Sequence, residues 1–211
     1  MARTVPTEMS AGDEPAAGYR RSAGSKRGEA RRRDLLARVT DDLALNGLVD
    51  FSLRRAAKAS GTTHKVLLYY FAGAEDLLAH AMTELRRRRI DEALAATREE
   101  GGGLADRVRA LWPVLTDGYA WVHDQGIGLM MYDPERYRAL GRGSSQQYLP
   151  TLLALCPGGW SDRRKSEVAE MIMATLRGFV IDRLASGDSS GVDAGFEALA
   201  RALEREEASG E

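Results

Sequence analysis

With one cysteine in 211 residues, Cys156, the chain can form no intramolecular disulfide. Its three histidines, His64, His80 and His123, are scattered without the close spacing that a metal site needs. No stretch approaches the roughly 20 uncharged apolar residues of a membrane-spanning helix, and residues 1–25 hold no apolar run of the secretory kind. A soluble, cytoplasmic protein with no membrane partner and no cofactor is therefore expected. No nucleophile elbow, paired-histidine metal site, phosphate loop or dinucleotide fingerprint occurs, which argues against an enzyme. Cys156 is followed by Pro157-Gly158-Gly159 and reads as a loop-edge residue rather than a nucleophile. Also missing is any sustained period-2, β-branched segment of strand length, so the expected fold class is all-α.

What is present is an ordinary globular composition, 44% hydrophobic and 29% charged, with 30 Lys+Arg against 31 Asp+Glu. That balance hides an asymmetry. Residues 20–90 hold 16 Lys+Arg and 8 Asp+Glu, whereas residues 91–211 hold 13 and 20. A basic N-terminal third on an acidic remainder suggests that the first part meets a polyanion and the second does not, although arginine-rich helix faces also occur simply as solvated surface.

Residues 1–28 are rich in Ala, Gly, Ser, Pro and Thr, carry Arg20, Arg21, Lys26 and Arg27, and are expected to form a disordered basic arm. From Glu29 onward Leu35, Leu36, Val39, Leu43 and Leu48 recur at helical spacing until Asn46-Gly47 stops the helix. Ser52 is placed to cap a second helix in which Leu53, Ala56 and Ala57 face inward and Arg54, Arg55 and Lys58 face out. Ser60-Gly61 ends it, and a third short helix runs from Thr63 to Phe71. Glu75 opens a long helix through the Arg86–Arg89 block toward Arg98, a strut of roughly 35 Å. Gly101-Gly102-Gly103 reads as a joint. Further helices are expected over 104–124, 133–155, 162–186 and 191–206, with breaks at Gly126, Gly128 and Asp133-Pro134 that are either sites of movement or plain loops.

Two short helices joined by a tight glycine turn form the arrangement that presents one helix to the DNA major groove. The run from Gly47 to Phe71, GLVDFSLRRAAKASGTTHKVLLYYF, followed by Glu75-Asp76-Leu77-Leu78, resembles the DNA-binding domain of the TetR family of bacterial transcriptional regulators. The likeness spans residues 29–80 without a gap; beyond it only helix pattern and length are similar, including Leu176-Arg177-Gly178-Phe179. The resemblance implies a helix-turn-helix DNA-binding domain at 29–73, joined by a long helix to an effector-binding and dimerisation domain at 74–211.

It also implies that Thr63 to Tyr70 is the recognition helix. Thr63 caps it and meets a phosphate, while His64, Lys65 and Val66 point at base edges. Lys65 can donate to guanine O6 or N7, His64 to an acceptor, and Val66 can touch a thymine methyl. Tyr69 and Tyr70 bond phosphates, or else pack between domains; Ser52 and Arg54 reach the opposite groove wall. Arg31, Arg32 and Arg33 add salt-dependent affinity. Two positions depart from the family: Leu68 stands where many relatives place a phosphate-contacting Tyr, and Ala74 where they place a Lys.

In the second domain, aromatic and Met residues concentrate where a mainly apolar pocket could form between helices. Trp112, Tyr119, Met130, Met131, Met171 and Phe179 are the candidate contacts for a small, mostly apolar effector, with His123 and Arg177 able to fix a polar or acidic group. The last two helices carry more apolar surface than a small domain covers, and the family pairs them across a homodimer, with Gly178 allowing close approach. The expected function is a ligand-responsive repressor that binds a palindromic double-stranded DNA operator as a dimer. The alternative is a ligand-blind architectural DNA-binding dimer.

Overall fold

The computed structural model describes residues 25–99, 102–116, 118–141, 143–187 and 189–209, and the fold over them is all-helical. Most of the expected arm, residues 1–24, lies outside the described residues. Helix α1 spans Lys26–Asn46, its first turn closed by Ser25, whose Oγ accepts from Gly28 N at 3.1 Å. It thus begins three residues earlier than apolar periodicity indicates. Leu35, Val39 and Leu43, one turn apart, are fully buried. Gly47 ends the helix at φ +70° and donates its N–H to the Leu43 carbonyl. Only glycine fits there, because a Cβ would lie 2.3 Å from the Trp121 ring.

Helices α2 (Leu53–Ala59) and α3 (His64–Tyr70) are short because each is bounded by its own caps. Ser52 Oγ accepts from Arg55 N, and Thr63 Oγ1 accepts from Val66 N. The turn between them passes through Gly61 at φ +65° and a buried Ser60, whose hydroxyl donates to the Ala56 carbonyl. Helix α4 (Ala74–Glu99) is about 39 Å long at roughly 1.5 Å per residue.

Two cores flank that strut. The first takes Leu35, Val39 and Leu43 of α1, Ala56 of α2, Leu67 of α3, and Leu77, Met82 and Leu85 of α4, and it also takes in Val122 and Leu140 from later helices. The second holds Ala93 at the far end of α4, with Leu104, Val108, Ile172, Leu176, Phe196 and Leu203. The segments expected as 29–73 and 74–211 therefore share one apolar core across their boundary.

The remaining helices are α5 (Leu104–Thr116), α6 (Ala120–Tyr132), α7 (Pro134–Gly141), α8 (Ser144–Leu155), α9 (Asp162–Ser186) and α10 (Ser190–Ala208). The helix expected over 104–124 is two helices, with Gly118 at φ +60° between them, and that expected over 133–155 divides near Gly143 at φ +75°. Gly126 and Gly128, expected as breaks, lie inside α6. Gly126 is buried with Met82 and Leu48 over it, so its missing side chain serves packing. Asp133-Pro134 does separate α6 from α7. Among the described residues no helix is long and apolar enough to cross a membrane, and no cluster of potential metal ligands occurs.

Candidate functional site

The helix-turn-helix places its side chains by simple periodicity. On α3, Leu67 turns into the core, so His64, Lys65 and Leu68 face out and are exposed. Val66 was expected at a base edge; it is half-buried and packs against the first core, because it sits on the same side as Leu67 and Tyr70. The outward apolar position is Leu68, 47% exposed. Tyr69 and Tyr70 are both half-buried, their rings edge-on at 4.8 Å, with Tyr70 against the core. Thr63 and Ser52 are exposed, and each uses its oxygen as a cap while keeping an O–H donor.

The arginines divide into free and engaged. Arg33, Arg54, Lys58 and Lys65 are exposed and in no ion pair among the described residues. Arg31 is exposed but pairs with Asp34 at 2.7 Å. Arg32 lies over the Phe71 ring at 4.7 Å and donates Nε–H to the Tyr70 carbonyl, fastening α1 to the end of α3. Arg55, expected to face out, turns inward: it pairs with Asp42 at 2.7 Å and donates to the Val49 carbonyl, holding α2 on α1.

Between α4 and α5–α9 lies a cavity of about 270 Å³. Of the residues expected to line one, His123, Met130 and Arg177 do. Trp112 and Phe179 instead build an aromatic cluster with Phe196, on which Trp112 stacks at 4.8 Å. Tyr119 lies outside the cavity, donating its hydroxyl to Glu92 Oε1 at 3.1 Å, and burial pushes its pKa up to about 12. Met131 and Met171 are 78% and 43% exposed, since each follows or precedes by one residue, about 100° of helix, a side chain that points inward, Met130 or Ile172. Tyr148, one of the aromatic residues that could line a cavity, also does, whereas sequence reasoning missed Met82, Arg86, Arg89, Ile127 and Met173. The signal for the arginines was the inward stripe of α4, which continues from Met82 through Arg86 and Arg89 to Ala93 at three- and four-residue steps.

Arg86 is 3% and Arg89 6% exposed. Arg86 donates to Gln147 Oε1, the Leu140 carbonyl and Thr83 Oγ1, tying α4 to α7 and α8; burial pulls its pKa below the ordinary value. Arg89 donates from Nη2 to the Leu115 carbonyl, and its Nε is buried without a partner. Both ring nitrogens of His123 are likewise buried without partners. Burial, and then the charges of Arg89 and Arg86, hold its pKa down to about 3, so the ring is neutral. Burial raises the pKa of Asp124 and of Tyr148, while nearby arginines oppose both shifts.

The cavity is coupled to the helix-turn-helix by α6. Gln125 Oε1 accepts from Leu48 N at 2.7 Å, and the Trp121 ring closes on Gly47. Both contacts fall on the link from α1 to α2.

The architecture has two parts: a helix-turn-helix on a long strut, and a cavity-bearing helical body. No protein-family model matches the chain, and no curated protein matches it in sequence. Solved structures do match over most of their length. A protein from Rhodococcus sp. assigned to the TetR-family transcriptional regulators superposes with a TM-score of 0.61 at 15% identity, covering 83% of this chain and 97% of that one. The multidrug binding protein EbrR, complexed with imidazole, gives 0.61 at 16% identity, over 82% and 90%. The transcriptional regulator FadR from Bacillus subtilis, in complex with stearoyl-CoA, gives 0.56 at 15% identity, over 81% and 96%. The chain has the TetR-family fold, and the Rhodococcus and Bacillus subtilis proteins it superposes on are described as transcriptional regulators.

Proposed function

We infer that the chain is a ligand-responsive, DNA-binding transcriptional regulator, a repressor that holds a palindromic operator as a homodimer and leaves it when a small effector fills the cavity. The observation that carries this reading is α6, which borders the cavity through His123, Ile127 and Met130 and the helix-turn-helix through Trp121 and Gln125. An effector that favours a different seat for α6 acts on the Leu48 N–H to Gln125 Oε1 hydrogen bond on the link from α1 to α2. It releases DNA only by binding the two arrangements unequally; a thousandfold loss of affinity requires about 4 kcal/mol of coupling.

On DNA, α3 enters the major groove. Lys65 donates to guanine O6 or N7, His64 to an acceptor, and Leu68 touches a thymine methyl in the role first expected of Val66. The hydroxyls of Ser52, Thr63, Tyr69 and Tyr70 and the Arg54 guanidinium meet phosphates, while Arg31 and Arg33 supply sequence-blind affinity; Arg32 is spent on Phe71 and Tyr70. FadR and EbrR were both solved with small molecules bound, which supports an effector site here. A ligand-blind architectural protein has no use for a cavity of about 270 Å³ between its helices. The test is selection of bound sequences from random DNA by the full chain. Enrichment of an inverted repeat, with binding that weakens as salt rises, is expected; an unenriched pool or salt-insensitive binding overturns the reading.

A further inference from the structure

The charges around the cavity do not balance. Its wall carries three guanidiniums, Arg86, Arg89 and Arg177, and one carboxyl, Asp124. Among the described residues none of the three has a carboxylate within 4.0 Å. Elsewhere on α4 the pattern is opposite: Arg87 pairs with Glu84 and Asp91, and Arg88 with Asp41. Glu92 borders a second recess beside Arg89, but it accepts the Tyr119 hydroxyl.

The three cations are not equivalent. Arg86 donates from all three of its nitrogens to neutral acceptors and works as a structural tie. Arg89 has one carbonyl, the Tyr148 hydroxyl within hydrogen-bonding reach, Asp124 as its nearby carboxyl and an orphaned Nε, and half-buried Arg177 has no hydrogen bond or ion pair among the described residues. Tyr148 lies within electrostatic reach of all three, and His123, with two orphaned nitrogens, within reach of Arg86 and Arg89. A buried guanidinium without a counter-charge costs stability, and an orphaned buried donor marks a missing partner. A cationic effector would be repelled, and a purely apolar one would leave every orphan unmet.

We propose that the effector is an amphipathic organic oxyanion, its head group held by Arg89 and Arg177 with the Tyr148 hydroxyl donating, and its apolar body lying against Met82, Ile127 and Leu176. This rests on the ligand-responsive reading and narrows it. An apolar cavity of about 150 Å³ admits benzene, so the volume here suits on the order of a dozen non-hydrogen atoms. Small shifts of the Arg89 and His123 side chains bring the orphaned Arg89 Nε–H and the single N–H of the neutral His123 ring to the anion, which gives the bound arrangement contacts that the empty one lacks.

The experiment is calorimetric titration of the full chain with a chain-matched set: octanoate, octyl sulfate, 1-octanol and octylamine. At least about tenfold tighter binding of an anion than of 1-octanol is expected, with octylamine weakest. Octanoate above octyl sulfate identifies a carboxylate head, and the reverse a sulfate or phosphate. Arg177→Gln and Arg89→Gln should each abolish the preference while leaving 1-octanol binding in place; Arg177, half-buried and unpaired, keeps the test open if the Arg89 variant misfolds. Equal binding of octanol and anions overturns the oxyanion proposal but leaves ligand response standing. An anion preference that survives both substitutions overturns it as well, by assigning the preference to surface charge. Binding of no member at millimolar concentration overturns both readings.

Discussion

His123 shows how a single buried residue writes itself into the pH dependence of the whole. Its pKa of about 3 in the folded protein lies well below the ordinary value of about 6.5. As pH falls the unfolded chain takes up this proton first, so folding loses stability between about pH 6.5 and 3, and above about pH 7.5 the residue contributes nothing to the slope. At pH 5 the loss is about 2 kcal/mol. Urea denaturation of wild type and His123→Leu at pH 7.5 and pH 5 should show the variant losing less, by that amount; parallel pH profiles would mean the ring is already charged or solvated. Lys65 makes the opposite case, exposed and in no ion pair among the described residues. Lys65→Ala should change stability by less than about 0.5 kcal/mol while weakening binding to the selected operator about tenfold, and random DNA far less. Arg33→Ala should weaken both DNAs alike and reduce the salt slope by about one. If Lys65→Ala weakens both DNAs equally, Lys65 meets phosphate rather than base.

The elements are positioned by a few backbone requirements that composition does not advertise. Gly47 and Gly61 both have positive φ, yet a Cβ at Gly61 meets nothing within 4 Å, whereas one at Gly47 strikes the Trp121 ring. Gly61→Ala should therefore cost about 1 kcal/mol, the backbone strain alone, and Gly47→Ala about 2 kcal/mol or more because Trp121 and α6 must also move. Denaturant midpoints check this, and equal costs would mean that α6 does not seat on the α1–α2 link. The cap Ser52 and the turn at Gly61 were legible because local chemistry sets them, whereas the cap Thr63 and the outward His64 and Lys65 were legible through the family resemblance. Leu68 rather than Val66 was legible in principle from the helical period, once Leu67 is taken as the inward residue. The body was less legible. Aromatic and Met side chains serve a core as well as a cavity, so Trp112 and Phe179 were spent on each other and on Phe196. The Arg86–Arg89 block resembled a solvated face, yet two of its four members continue the apolar stripe of α4 into the cavity.

At the scale of the whole molecule, the proposed pairing of two α3 helices turns on α9 and α10. Val168, Ile172, Leu176 and Val180 turn inward on α9, which leaves Met171, Ala174, Gly178, Ile181 and Leu184 exposed; on α10 the exposed face begins with Gly191, Ala194 and Ala198. In one copy of the chain this small and apolar stripe is uncovered, with Ile181 41% and Leu184 56% exposed and open space over Gly178. In the homodimer proposed above, a second copy packs there in a two-fold four-helix arrangement, burying the stripe and fixing two copies of α3 to one body. Half-sites about 34 Å apart, one turn of DNA, can then be read together. Linking two weak half-site contacts multiplies affinity by roughly 10² or more, so the proposed regulator needs the dimer to hold an operator. Ile181→Asp puts a charge into the centre of that face without disturbing any buried side chain of its own protomer. Sedimentation should report a monomer, circular dichroism an unchanged helical content, and operator affinity a fall of about 10² while binding to a single half-site persists. A variant that still sediments as a dimer places the interface elsewhere, and one that is monomeric yet holds the operator undiminished removes the two-fold from the account of recognition.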